Sequence, residues 1–523
     1  MRESDRFFSS RWGLILSVLG IAVGTGNIWR FPRIAAKTAG DEGAGAFLLA
    51  WVVFLLLWSV PLIIAEYAIG RRTRLNPVGS MALLMGPRYG WMGAFIAFVA
   101  TAIMFYYSVV AGWCLYYFVQ MLVRPLPLSV ESAWGMWNGF QSGPWPVVFH
   151  ALMMGVGAWV IARGVASIER VSMVLVPTLL GIVLLAAVRA VTLPGSLEGI
   201  RFLFTPDWPK LADPQVWLEA LTQNAWDTGA GWGLILVYAT YMRARHGVTL
   251  NAFLTGFGNN SVSLLAAIAV FGTVFGVLHT QYDQAQILAI MRDSGPASTG
   301  LTFIWMPQLF ARMPLGELMA VLFFLGLSFA AFTSLISMIE LATRVLVDMG
   351  LPRPRAISSI ALLGFIAGLP SARSPEFLGN QDFVWGVALM LSGLLIALAV
   401  NRYGTERFRS ELLEASRAYD LPLGRWWTFV MRYAVPLQAL VLISWWILMA
   451  VFGFPSSLDV RTWRVDPNWW NPLSPYTVGT CVFQWLIVAL ALIGLNRLLV
   501  KHTLSEAVQT KQRLKTEGWK ELE

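Results

Sequence analysis

Few residues in this chain of 523 could do chemistry, and the polar ones sit where polar groups are expensive. The stretch Gly20-Ile21-Ala22-Val23-Gly24-Thr25-Gly26-Asn27-Ile28-Trp29-Arg30-Phe31-Pro32 lies within an apolar segment long enough to cross a bilayer. Glycines weaken a helix interior, and a buried Asn or Arg is costly unless it finds partners. Non-helical backbone at membrane depth is tolerated only where it is buried in protein or lines a watery cavity. The stretch is therefore expected to be a deliberate break in a spanning helix. Its freed carbonyls would suit a hard cation and its freed amides an anion. A second stretch of this kind, Trp226-Asp227-Thr228-Gly229-Ala230-Gly231-Trp232-Gly233, carries an acidic residue, and ionisable groups within spans are rare and functional by default. Asn251 and Thr255 fall in a later apolar segment, and Thr333, Ser334 and Glu340 in another. A Ser/Thr pair in a helix more often bonds its own backbone than a ligand, so Thr333-Ser334 gains weight only beside the two breaks. No nucleophile–base pair, metal-ligand spacing or phosphate loop is legible among four histidines and two cysteines, Cys114 and Cys481, so an enzyme is not expected.

The elements that must position these groups are membrane helices. Hydrophobic residues make up 57% of the chain and charged residues 13%, about half the charged share of a soluble domain. Apolar runs of spanning length number about twelve. An all-α integral membrane protein of about twelve transmembrane helices is expected, with residues 11–500 as one transmembrane domain between short segments 1–10 and 501–523. The net charge of +9 comes from Arg and Lys gathered at 71–88, 243–245, 353–355, 402–425 and 497–520. With twelve spans these clusters share one side, the cytoplasmic one by the positive-inside rule. Both termini are then cytoplasmic in a plasma (cell inner) membrane, the lipid bilayer is the surround, and nucleic acid is not a partner. The N-terminal apolar run is too long and too broken for a cleaved signal. The sequon Asn259-Asn260-Ser261 lies inside a predicted helix and is set aside. Glu340 and Arg344, one helical turn apart, are expected to neutralise each other. The second break opens the second group of five helices as the first break opens the first, and matched interruptions of this kind point to the binding site of an inverted-repeat transporter.

The first stretch, the second break, Asn251 and Ala330-Ala331-Phe332-Thr333-Ser334 together resemble the neurotransmitter:sodium symporters. The pattern is that of the bacterial, leucine-transporter-like amino-acid:sodium symporters, from Arg11 to about Leu499. The resemblance implies a five-plus-five inverted repeat with discontinuous helices 1 and 6, and sodium-coupled import of a neutral amino acid by alternating access. It implies one sodium site from the Ala22 carbonyl, the Asn27 and Asn251 side chains and position 227, a family threonine that here is Asp227. It implies a second from the carbonyls of Gly20, Val23 and Ala330 with the hydroxyls of Thr333 and Ser334. One or two Na+ ions and no organic cofactor follow. Monoamine-transporting relatives carry an Asp where this chain has Gly24, so the substrate keeps a carboxylate, held by the Thr25 and Gly26 amides and the Tyr107 hydroxyl. Its amino group would meet carbonyls near Trp226 and Thr228. Ile103, Trp226, Gly229, Trp232, Ser334 and Met338 would line a pocket for an apolar or aromatic side chain.

Gates follow from the same resemblance. Arg30 and Asp382 would pair across an outer vestibule above a lid of Tyr107 and Trp226. Tyr241 and Asp348 match the inner gate, with Asp5 or Arg6 and Phe8 standing where relatives have Arg and Trp. Ser167, upstream of Pro177, replaces a glycine associated with local unwinding of helix 5. Two sodium ions beside a zwitterion need a counter-charge in a low-dielectric site, which relatives supply as chloride or as a helix-7 carboxylate. Here the helix-7 position reads as Thr255, Gln223 is kept among the chloride ligands, and Trp51 replaces a tyrosine. Ionised Asp227 is expected to supply the charge and make transport chloride-independent. Proton coupling through Asp227 and a non-transporting amino-acid sensor stay open as alternatives, and the oligomeric state is not legible.

Overall fold

Both glycine-rich stretches break their helices. The computed structural model describes residues 7–243, 246–292, 299–414, 420–453 and 462–516, the side chains of 506–516 excepted. The first span is a bent pair, α1 (Arg11–Ala22) and α2 (Gly26–Thr38), turning by 53°. Spans α3 (Gly45–Thr73), α4 (Pro87–Val123), α5 (Trp145–Ala162) and α6 (Val165–Val191) follow. In the place of the sixth span stand two short helices, α7 (Pro214–Asp227) and α8 (Leu234–Ala239). Next come α9 (Thr249–Leu278), the short α10 (Gln284–Arg292) and α11 (Leu301–Ala311), then α12 (Gly316–Asp348), α13 (Arg353–Arg373), α14 (Pro375–Tyr403), α15 (Arg425–Val451) and α16 (Val478–Ser505). Ten helices are long and apolar enough to cross a membrane among the described residues, and the bent pair makes eleven. The α7/α8 pair stands where the twelfth expected span falls, and its polar, interrupted sequence makes it less apolar than the others.

Packing sorts the spans into a centre and a perimeter. Of its most apolar window, α4 buries 83% and α16 only 22%. Around α4 pack α12, α5 and α14, whereas α16 turns Leu486, Leu490 and Leu498 outward, the surface that acyl chains would cover. The second half of the sixth span, α8, lies hard against α3 because position 70 has no side chain. A Cβ on Gly70 would sit 2.0 Å from the Leu236 carbonyl oxygen. Close backbone approach through small residues is how membrane helices gain packing without a hydrophobic driving force.

The buried charges pair differently from the sequence expectation. Glu340 is fully buried and receives Arg353 from α13, with Nη2 2.6 Å from Oε2 and Nη1 3.0 Å from Oε1. Arg344 instead pairs with Asp348, Nε to Oδ1 at 2.8 Å. Helical spacing allows either partner, but a forked guanidinium from a neighbouring helix satisfies both carboxylate oxygens at once.

Candidate functional site

The second break is built on Glu66, which the sequence reading passed over. After α7 ends at Asp227, Gly229 (φ 70°) and Gly231 (φ 89°) take left-handed backbone that side chains resist. The amides this frees are collected by Glu66 of α3, fully buried, which accepts from Gly231 N at 2.6 Å and Leu236 N at 3.1 Å. The signal was available: an acidic residue in an apolar span with no basic residue at helical spacing. Trp232 braces the same break, its indole N–H donating to the Ala225 carbonyl at 2.9 Å. Glu66→Ala strands two buried amides at about 1–3 kcal/mol each. It should lower the melting temperature of detergent-solubilised protein, and Glu66→Gln should do nearly the same, because its NH2 would face an N–H.

Where the two breaks meet, oxygens converge. Asn27 is wholly buried: its Oδ1 accepts from Gly24 N (2.8 Å), and its Nδ2 donates to Asn259 Oδ1 (2.8 Å) and Ser263 Oγ (2.7 Å). In that orientation the Asn259 oxygen also lies 3.1 Å from the Ala22 carbonyl and 2.9 Å from the Asp227 carbonyl. Turning the Asn259 amide over would let its NH2 donate to both carbonyls, but would set it against the Asn27 NH2. A hard cation among the three oxygens removes the conflict without turning either amide. Asp227 adds a carboxylate, Oδ2 accepting from Ser263 Oγ (3.2 Å) and Gln223 Nε2 (3.4 Å), while its buried Oδ1 has no partner among the described residues. An orphaned carboxyl oxygen beside gathered carbonyls fits sodium.

Two expected residues are elsewhere. Asn251, expected in this cluster, accepts instead from Arg11 Nε at 3.3 Å. Asn259, about two helical turns further along α9 and set aside as part of a sequon, stands in its place. Thr255 donates to the Asn251 carbonyl (2.8 Å) and lies 3.4 Å from the Tyr67 hydroxyl. Ser263 is the α9 residue that faces Asp227. Both errors are one register shift of eight positions along a single helix. Trp51 contributes its carbonyl, which accepts from Asn224 Nδ2 at 2.8 Å.

A second gathering of oxygens joins α1 to α12. Ser334 Oγ lies 3.3 Å from the Gly20 carbonyl and 3.2 Å from that of Ile21, and Thr333 Oγ1 lies 3.2 Å from the Ala330 carbonyl. Carbonyls at the end of a broken helix lack intrahelical partners, and Val23 is the residue at which α1 stops, its N–H still bonding the Leu19 carbonyl at 2.7 Å. The helices approach closely enough that a Cβ on Gly20 would sit 3.1 Å from Thr333 Cβ.

Between the breaks opens a cavity of about 910 Å³. Gly24, Thr25, Gly26, Tyr107, Trp226, Asp227, Gly229, Trp232, Ser334 and Met338 all line it. The Tyr107 hydroxyl is 3.4 Å from Thr25 N and 3.3 Å from Thr25 Oγ1. An amide and a hydroxyl thus meet at the mouth of a break, a cradle for a carboxylate. Ile103 and Thr228, expected in the pocket, do not line it. Ile103 is fully buried, and the Thr228 hydroxyl turns to the Asn224 carbonyl (2.6 Å) and Ser59 (3.0 Å), where it caps the end of α7.

The cavity continues past Arg30 and Asp382 towards Lys37 and Glu219, which pair at 2.8 Å. Arg30 and Asp382 face the same space, and no ion pair joins them among the described residues. Arg30 lies over the Trp226 ring instead, 5.5 Å from its centroid. The opposite end is shut. Phe8 is fully buried against Tyr238 and Tyr241, ring centroids 5.9 and 6.5 Å away. Tyr241 donates to Glu340 (2.6 Å), and Asp348 accepts from Asn76 N (2.8 Å) and pairs with Arg344. Asp5 and Arg6 lie outside the described residues. Ser167 stands in the wound first turn of α6. The molecule is therefore open on one side of the breaks and closed on the other.

Comparison with known proteins agrees with this geometry. The family model described as the sodium:neurotransmitter symporter family matches residues 5–142 and 143–495. The chain is 30% identical over 458 residues to an uncharacterized sodium-dependent transporter of Methanocaldococcus jannaschii, covering 83% of this chain and 88% of that one. It is 26% identical over 540 residues to a human sodium-dependent neutral amino acid transporter, SLC6A17, covering 84% and 73%. Among solved structures it is similar to MhsT in complex with L-phenylalanine, with a TM-score of 0.72 at 29% identity, covering 84% of this chain and 99% of that one.

Proposed function

This chain belongs to the sodium:neurotransmitter symporter family, and we propose that it imports a neutral amino acid with an apolar or aromatic side chain, coupled to one or two sodium ions. The transport domain spans residues 11–500 of a plasma-membrane protein with both termini cytoplasmic. The observation that carries the reading is the meeting of two broken helices beside one cavity, with carbonyl and side-chain oxygens gathered where they meet. One sodium ion is held by Ala22, Asn27, Asp227 and Asn259, the last replacing Asn251. The other is held by Gly20, Val23, Ala330, Thr333 and Ser334. Thr25, Gly26 and Tyr107 hold the substrate carboxylate, and Trp226, Gly229, Trp232 and Met338 surround its side chain. The phenylalanine bound by MhsT supports a pocket of this size. Asp227, whose Oδ2 accepts from neutral Ser263 and Gln223, supplies the counter-charge, so chloride is not required.

Each cycle then closes Arg30 and Asp382 over the loaded site before the Phe8 side opens. An exposed pair of this kind is worth about 0–1 kcal/mol, weak enough to reopen. Proteoliposomes with an inward sodium gradient should accumulate phenylalanine or a similar amino acid equally in chloride and gluconate. Absence of uptake across a panel of neutral amino acids defeats the proposal. Strict chloride dependence defeats the role given to Asp227, and uptake driven by a pH gradient without sodium transfers that role to a proton.

A further inference from the structure

The end of α1 remote from the break is held by a residue that the transport site does not use. Glu169, on α6, is 3% exposed. Its carboxylate accepts from Ser9 N (2.8 Å), Ser9 Oγ (2.7 Å), Ser10 N (3.2 Å) and Ser10 Oγ (3.3 Å). Ser10 is the N-cap of α1, its Oγ accepting from Gly13 N at 2.9 Å. No ion pair reaches Glu169 among the described residues, so its charge is satisfied by these four donors and by the positive end of the helix.

Position 13 is shaped for it. A Cβ on Gly13 would lie 1.7 Å from Glu169 Oε1, so only glycine lets the carboxylate reach the first turn. Immediately before Ser9 comes Phe8, the residue that shuts the inner side, its N–H bonding the Tyr241 carbonyl at 3.0 Å. At the far end of the same rigid half-helix are the Gly20 and Ala22 carbonyls.

We propose that Glu169 is the latch of the inner gate: by capping the inner half of the first helix it holds Phe8 in place, and letting go of Ser9 and Ser10 is the step that swings the half-helix from α6 and opens the ion sites inward. The latch rests on the transport reading above. It is a positioning residue, touching neither substrate nor ion. It links one event at the cytoplasmic end to the carbonyls at the break, since a helix moves as a unit.

The test uses full-length protein with Cys114 and Cys481 replaced by alanine and a reporter, Ser337→Cys. Ser337 is 1% exposed behind Tyr238, to whose hydroxyl it donates at 2.9 Å, and Tyr238 lies under Phe8. An impermeant maleimide applied to the cytoplasmic face reads opening. Glu169→Gln, which keeps the shape and removes the charge, should raise labelling about tenfold over the parent and raise the sodium concentration for half-maximal uptake. Gly13→Ala should do the same by expelling an intact carboxylate, and Gly13→Ala with Glu169→Asp should recover towards the parent, because the shorter acid clears the methyl. A merely structural role predicts no such recovery, since Gly13→Ala and Glu169→Asp would each loosen the packing and their effects would add. Folded variants that label like the parent overturn the latch, whatever sodium does. The transport reading is judged separately, by whether sodium protects the parent's reporter thiol.

Discussion

Asp227→Asn raises the sodium concentration needed for half-maximal uptake by about two orders of magnitude. A unit charge about 3 Å from a cation is worth about 5 kcal/mol at the effective dielectric of a protein site. Desolvation takes back part of this, and a net of about 3 kcal/mol corresponds to roughly a hundredfold. The asparagine keeps the shape, and with its oxygen held by Ser263 and Gln223 an NH2 takes the place of Oδ1, so the loss reports the charge together with the oxygen that faced the ion. Adding chloride should restore part of the affinity in the variant, because Gln223 and Ser263 remain as donors for an anion beside the neutral amide. Sodium titrations of uptake by parent and variant, each in chloride and in gluconate, give the four values needed. An unchanged half-saturation in the variant would remove Asp227 from the ion site.

The second large effect separates two asparagines on one helix. Asn259→Ala removes the oxygen that meets the Ala22 and Asp227 carbonyls and leaves the buried Asn27 NH2 short of one acceptor. The cost of about 2–3 kcal/mol should raise half-saturating sodium about thirty- to hundredfold. Asn251→Ala breaks a single 3.3 Å contact with Arg11, worth about 0.5 kcal/mol, and should change the same quantity less than about threefold. Sodium-induced thermal stabilisation of the purified variants measures both without knowledge of the substrate. The reverse order would restore Asn251 to the site.

The sequence alone determined the membrane class, the twelve-span architecture and both breaks. These follow from local chemistry: apolar run length, and glycines, an Asn and an Asp that no lipid-facing helix carries without cost. It also pointed to Gly24, Thr25, Trp226 and Asp227, which line the cavity, because they are next to the feature that marks them. What it did not determine was which turn of an unbroken helix meets the breaks. Along α9 the polar positions Asn251, Thr255, Asn259 and Ser263 recur every four residues on one face, so spacing cannot choose among them. Only the height at which α9 packs against α1 and α7 selects Asn259 and Ser263. The same holds for Glu340, offered an equivalent partner on its own helix and claimed by Arg353 from another. Glu66 and Glu169 were readable as unpaired acids, but the amides they collect are freed only once α8 and α1 begin where the fold starts them. Local chemistry decided where the helices break, and packing decided which turn of each neighbouring helix meets the breaks.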